Sequence, residues 1–143
     1  MALRRHDSFE LDDDPARLDL GRISQWLAVE SYWARGRSAE RIQRSIDNSL
    51  VWGLYGPSGQ VGFFRVVTDK TTFAWLCDVF VDQAYRGRGL AQWALAAIRD
   101  DLLAMGVYRI LLATADAHGV YEKLGFGPHA EPGKWMELMA DRD

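Results

Sequence analysis

Apolar positions along the chain follow two periods, and the places where one gives way to the other delimit the elements. From Asp19 to Trp33 they fall at Leu20, Ile23, Leu27 and Val29, an imperfect amphipathic helix. "RGRS" interrupts it, and Ser38 is the expected N-cap of a second helix, "AERIQRSIDN", with Ile42 and Ile46 on one face. The period then shortens. "SLVWGLY", "QVGFFRVVT" and "FAWLCDVFV" read as strands; "GPSGQ" joins the first pair with hairpin-turn composition and "DKT" joins the second. Helical spacing returns over residues 89–104 with Ala91, Leu95, Ile98 and Leu102, continues to Met105, and stops at Gly106.

"VYRILLAT" then predicts a buried strand, because a strand–helix–strand passage of this length suits a crossover between parallel neighbours. A short helix over "AHGVYEKL" and a terminal strand near "KWMELMA" follow, and "DSFELDDDP" supplies a short strand at the front. The predicted order is β, α, α, a three-strand meander, α, β, α, β. That is an α/β chain with a mixed sheet and helices on both faces, one domain over residues 1–143, and not an alternating doubly wound fold.

Composition narrows the class. Hydrophobic residues at 48% and charged residues at 26% are globular values. A net charge of -3 argues against broad nucleic-acid binding. The apolar runs are too short to span a bilayer, and "MALRRHDSFE" lacks the apolar core of a signal peptide, so no membrane partner is expected. The single Cys77 excludes an intramolecular disulfide and suits a reducing, cytoplasmic setting. His6, His118 and His129 have no zinc-ligand spacing, so no metal is expected.

One seam carries chemistry. Arg86-Gly87-Arg88-Gly89 lies between an apolar strand and the helix that begins at residue 89. Amides in a helix's first turn lack intrahelical acceptors, and the helix dipole adds positive character there, so a phosphate satisfies both. Glycines let phosphate oxygens approach the backbone, and arginines add charge-assisted bonds. A Walker A loop is excluded for want of Gly-Lys-Ser/Thr, and a dinucleotide fingerprint would want a small residue where Gln92 stands. A flexible glycine turn with solvated arginines is the competing reading.

"VFVDQAYRGRGLAQWAL" resembles the pyrophosphate-binding signature of the GNAT acyltransferase superfamily, and "GVYEKLGFGP" resembles its second signature, a tyrosine near the end of a short helix before Gly-Phe. The order of elements is similar too. The resemblance implies a mostly antiparallel sheet with one splayed parallel strand pair. It also implies acetyl-coenzyme A as co-substrate and acetyl transfer to an amine, by direct attack in a ternary complex. The amides of Arg86, Gly87, Arg88, Gly89, Leu90 and Ala91 would then hold the pyrophosphate, and the backbone of Val79, Phe80 and Val81 would pair with the pantetheine arm. Tyr121 would protonate the departing thiolate, with an N–H near Val79 polarising the carbonyl; a tyrosine merely packed under the sheet is the alternative. Many members carry an asparagine seven residues before that tyrosine. Here Thr114 stands there, so the contact passes to Thr114 or Asp116, or is lost. The resemblance also admits a homodimer.

The base is left among three residues. Asp78 interrupts an apolar strand, on the face opposite Cys77 and Val79 by alternation; a buried carboxylate needs a reason, either catalysis or pairing with an arginine. His118 lies one turn before Tyr121, and Asp116 serves equally as base candidate or as N-cap of the short helix. Around the acceptor, "VESYWARGRS" offers Glu30 for a cationic amine, Tyr32 and Trp33 as an aromatic wall, and Arg37 for a carboxylate. Cys77 reads as a small core residue and not as a ping-pong nucleophile. The expected acceptor is a small-molecule primary amine. A non-catalytic acyl-coenzyme A sensor, and a protein-lysine or N-terminal acetyltransferase, are the rival readings.

Overall fold

The computed structural model describes residues 3–142. Six strands form one sheet in the order β1-β2-β3-β4-β5-β6. These are β1 (Arg4–His6), β2 (Phe9–Asp12), β3 (Leu50–Gly56), β4 (Gly59–Thr68), β5 (Phe73–Val81) and β6 (Arg109–Leu111). Neighbours pair antiparallel except β5 and β6, which are parallel. The helices are α1 (Leu20–Ser24), α2 (Ala39–Asp47), α3 (Leu90–Ala104) and α4 (His118–Glu122). The meander, its turns and the crossover through α3 stand where the sequence puts them, but the strand expected over "VYRILLAT" is cut to Arg109–Leu111. It lies at the sheet edge with Arg109 exposed and Ile110 and Leu111 half-buried, so it is not a buried strand. Among the described residues no helix is long and apolar enough to cross a membrane.

Each face of the sheet buries its own set of side chains. Leu90, Ala94, Leu95, Ile98 and Leu102 of α3 pack with Leu54, Phe64, Val66, Leu76 and Val81 on one face. Ile23, Trp26 and Leu27, with Ile42 and Ile46 of α2, pack with Val51, Phe63 and Phe80 on the other. Burying these aliphatic and aromatic side chains is the main term holding the helices to the sheet, about 25 cal/mol per Å² of apolar area removed from water.

Three further expectations need correction. The segment from Asp19 to Trp33 is not one regular helix: α1 runs into a π-helical stretch, Gln25–Glu30, closed by Ser31 N–H donating to Trp26 O at 2.8 Å. The wider turn explains the imperfect spacing, since Trp26 and Leu27 are buried while Leu20 and Val29 are exposed. The terminal strand near "KWMELMA" does not form; after a 3-10 turn over Pro132–Lys134 the described residues 135–142 have no regular structure. At the front there are two strands, β1 having paired with the expected β2 as a hairpin.

Candidate active site

The parallel pair parts early. β6 meets β5 only where Phe73, Ala74 and Trp75 face Arg109, Ile110 and Leu111. β5 runs on to Val81, so residues 76–81 have no neighbouring strand on that side among the described residues. A cavity of about 660 Å³ fills the gap. Val79, Phe80 and Val81 line one wall, and Leu112, Thr114, Asp116 and Tyr121 line the other. An unpaired strand edge facing a cavity can take a ligand's amides as though they were another strand.

At one end the cavity reaches Arg86 and Ala91. Gly87 and Gly89 adopt φ of +79° and +74°, a left-handed conformation that glycine takes without penalty. Gly89 is the N-cap of α3 and carries no capping side chain. Among the described residues, the amides of residues 87–92 have no protein acceptor, and a Cβ built on Gly87 or Gly89 meets nothing within 4 Å. Free donors, open space and a helix dipole together fit a diphosphate. The Arg86 amide differs from the expected set: it already donates to Gln83 O at 3.3 Å, and Arg86 Nε donates to Val81 O at 2.8 Å. Arg88 lies over the Tyr85 ring.

Tyr121 sits across the cavity from β5, buried against Phe126. Its hydroxyl has no protein partner among the described residues, yet its oxygen is not sealed from solvent. Burial pushes that hydroxyl up to about 12, with neighbouring Tyr32 adding to the shift, so it stays protonated at neutral pH. Tyr32, from the far side of the molecule in sequence, accepts a bond from the Ala115 N–H at 3.1 Å and ties the π-helical end to the β6–α4 connection.

Asp78 is the centre of a second cluster. Oδ1 accepts from Trp33 Nε1 at 2.9 Å, and Oδ2 accepts from Arg37 Nη1 and Arg65 Nε, both at 2.8 Å. Burial alone would raise this carboxyl, but the charges of Arg65 and Arg37 outweigh it and hold it below the usual carboxylate range. The expectation that Asp78 faces away from Cys77 is overturned. Pairing along β4 and β5 jumps from Arg65↔Cys77 to Phe63↔Phe80, so Asp78 and Val79 together oppose Phe64. Asp78, at φ +49°, is the extra residue of a bulge, and its carboxylate turns to the face of Arg65.

Of the other two base candidates, His118 is displaced and Asp116 is not. His118 opens α4 exposed and does not line the cavity, so it does not share Tyr121's face. Asp116 does line the cavity but caps nothing; the α4 start is held by Thr114 Oγ1 accepting from the Ala117 N–H at 3.1 Å. Glu30, Tyr32, Trp33 and Arg37 all line the cavity. Cys77 lines it too, but burial pushes its thiol up to about 11, so it is not a thiolate at neutral pH. Arg65 was missed. A lone arginine inside apolar "GFFRVVT", in the strand next to a lone aspartate inside "WLCDVFV", is the signal that pairs them.

The Acetyltransferase (GNAT) family profile matches residues 20–126. The crystal structure of a candidate acetyltransferase of that family from Xanthomonas campestris pv. campestris is 39% identical with a TM-score of 0.87, over 92% of this chain and 93% of that one. A Gibberella zeae protein named as a candidate acetyltransferase is 28% identical over 139 residues, 82% of this chain and 78% of the relative. A Staphylococcus aureus protein of unknown function has the same fold at 20% identity, with a TM-score of 0.75 over 92% of this chain and 99% of its own.

Proposed function

The chain belongs to the acetyltransferase (GNAT) family, and from that premise we propose that it moves an acetyl group from acetyl-coenzyme A to the primary amine of a small molecule, by direct attack while both are bound. The coenzyme supplies an activated acyl carbon and a thiolate leaving group. The amides of residues 87–92 hold its diphosphate, and the open edge of Val79, Phe80 and Val81 receives the pantetheine arm. An N–H near Val79 polarises the carbonyl. The amine nitrogen bonds to the acyl carbon, the carbon–sulfur bond breaks, Tyr121 gives its hydroxyl proton to the sulfur, and the proton that the new amide nitrogen sheds returns to the Tyr121 oxygen.

Asp78 is a positioning residue in this reading, because both its oxygens already accept N–H bonds. Asp116 and Glu30 are then the carboxylates on the cavity wall that can hold the ammonium and pass its proton to water. The bridge from Tyr32 to Ala115 crosses the acceptor side and supports a small acceptor over a peptide.

The reading also includes a homodimer. Met136 and Leu138 are 97% and 90% exposed, and among the described residues no further strand follows β6 at its edge of the sheet. A second copy, offering the same segment, suits that edge.

The observation that carries the function is the continuous slot from the free amides at α3 to the Tyr121 hydroxyl. Acetyl-coenzyme A consumption across amino acids, polyamines, aminoglycosides and peptides tests it. Tyr121→Phe is expected to lower kcat by about 100-fold while coenzyme affinity holds. An unchanged kcat would remove Tyr121 from its role, and binding without turnover of any amine would favour the sensor.

A further inference from the structure

Within the cluster around Asp78, at the acceptor end of the cavity, positive charge exceeds negative, and acetyl transfer itself does not use that excess; Glu30, on the same cavity wall, stands apart from the cluster. Arg37 and Arg65 converge on a single carboxylate oxygen, Oδ2 of Asp78. Two cations against one anion leave one charge uncompensated. The Asp78 side chain is 1% exposed, whereas those of Arg37 and Arg65 keep 19% and 14%. The anion is thus sealed behind the two guanidinium groups, and both arginines line the cavity in front of it.

Their donors are only partly spent. A guanidinium has five N–H bonds to give. Arg65 gives Nε to Asp78 and Nη1 to Ser49 Oγ at 3.1 Å, and Arg37 gives Nη1 to Asp78. Among the described residues, Arg65 Nη2 and the Nε and Nη2 of Arg37 have no protein acceptor. Glu30 lines the same cavity but pairs with neither arginine.

One arginine would suffice to neutralise Asp78. A second, largely removed from water, loses hydration that only another anion restores. A carboxylate matches what is left: one negative charge for one surplus positive charge, and two coplanar oxygens for the edge of a guanidinium. A phosphoryl group brings nearly two charges.

We infer that Arg37 and Arg65, held in place by Asp78, form the seat for a carboxylate on the acceptor, so that the preferred acceptors are amines that also carry a carboxylate, as amino acids do. The inference rests on the proposed acetyl transfer and names its substrate class. Arg65 becomes a specificity-determining residue.

The test is a set of twins. The kcat/KM of each of the twenty amino acids is compared with that of its carboxamide and its decarboxylated amine, with aminoalkyl phosphates as a further arm. For the best acceptor we expect the carboxylate form to be favoured by about 100-fold or more, since a site built around a charged partner rejects the analogue lacking it. Arg37→Gln leaves Arg65 and Asp78 as a neutral pair and so keeps the fold; it should bring the ratio towards unity while coenzyme affinity, by calorimetry, stays within about twofold. Equal use of the twins, a ratio that Arg37→Gln leaves intact, or a preference for phosphates overturns the carboxylate seat and leaves acetyl transfer standing. If no amine is acetylated, transfer fails, and the seat is judged separately by calorimetry of N-acetyl amino acids against their carboxamides with coenzyme A present. Tighter carboxylate binding there supports the seat, and no difference, or no binding by any member, overturns it.

Discussion

Asp78 occupies a backbone conformation that a non-glycine residue enters at a cost of about 1–2 kcal/mol. Two guanidinium groups and an indole N–H, all donating to its carboxylate, hold it there. Asp78→Asn keeps the shape, removes the charge, and leaves Arg37 and Arg65 facing each other across a neutral amide. The expected loss is about 3 kcal/mol at pH 7, the low end for breaking a buried pair because both arginines keep some contact with water. Acid adds a signature. The carboxyl is held lower in the folded chain than in the unfolded chain, so its stabilisation is complete above the unfolded value near 3.9 and fades as pH falls through the folded one. Urea unfolding from pH 7 to pH 2 should show this increment in the wild type and not in Asp78→Asn. Equal acid dependence in the two would mean that the arginines do not hold this group down.

At the scale of elements, capping is selective. α1 begins with Asp19 accepting from the Arg22 N–H, and α2 with Ser38 accepting from the Arg41 N–H. α3 is the longest helix among the described residues and begins with a glycine that caps nothing. Its first-turn amides are left for a ligand, at a forfeited capping stabilisation of only about 0.3 kcal/mol, because glycine is itself a tolerated N-cap. Gly89→Ala forces a Cβ into the left-handed region and into the space before those amides. We expect a loss of about 1 kcal/mol in stability and a weakening of coenzyme A binding of about tenfold or more by calorimetry. A fall in Tm with unaltered coenzyme affinity would instead support a solvated glycine turn.

The same contrast explains what could be read from the sequence. Ser38 as a cap, the periodic face of α3 and the seam at residues 86–89 are local patterns, and local patterns survive in a string of letters. The bulge at Asp78 is not local. Only pairing with β4 reveals that two residues oppose Phe64, and a one-residue change of register turns a side chain to the other face. The π-helical stretch is likewise set by how Trp26 and Leu27 reach the sheet, and it showed in the sequence only as bad spacing. Arg65 and Asp78 were both visible as charges in apolar strands, but their partnership required the fold.

At the scale of the whole molecule, the sheet has two unequal edges. β1 ends one side with Arg4, Arg5 and His6, a short charged strand of the sort that discourages further pairing. β6 ends the other with three residues, and the segment "KWMELMA", which follows α4 and reads as a strand in the sequence, has no ladder. Trp135 is anchored, stacking on Phe73 with His129 against its edge. Beyond it Met136 and Leu138 alternate with Glu137, a strand pattern turned to water. If a second copy receives this segment, sedimentation at micromolar concentration should find a dimer, and Met136→Glu with Leu138→Glu should give a monomer. Tm measured on that monomer should differ little from wild type diluted to the monomeric state, because these side chains bury nothing within their own chain. Coenzyme affinity should fall a few-fold all the same. β6 is joined to β5 by only three residue pairs, so a strand added on its outer side would steady the far wall of the slot. A wild-type protein that sediments as a monomer at 100-fold higher concentration would end the homodimer reading and leave the slot's chemistry untouched.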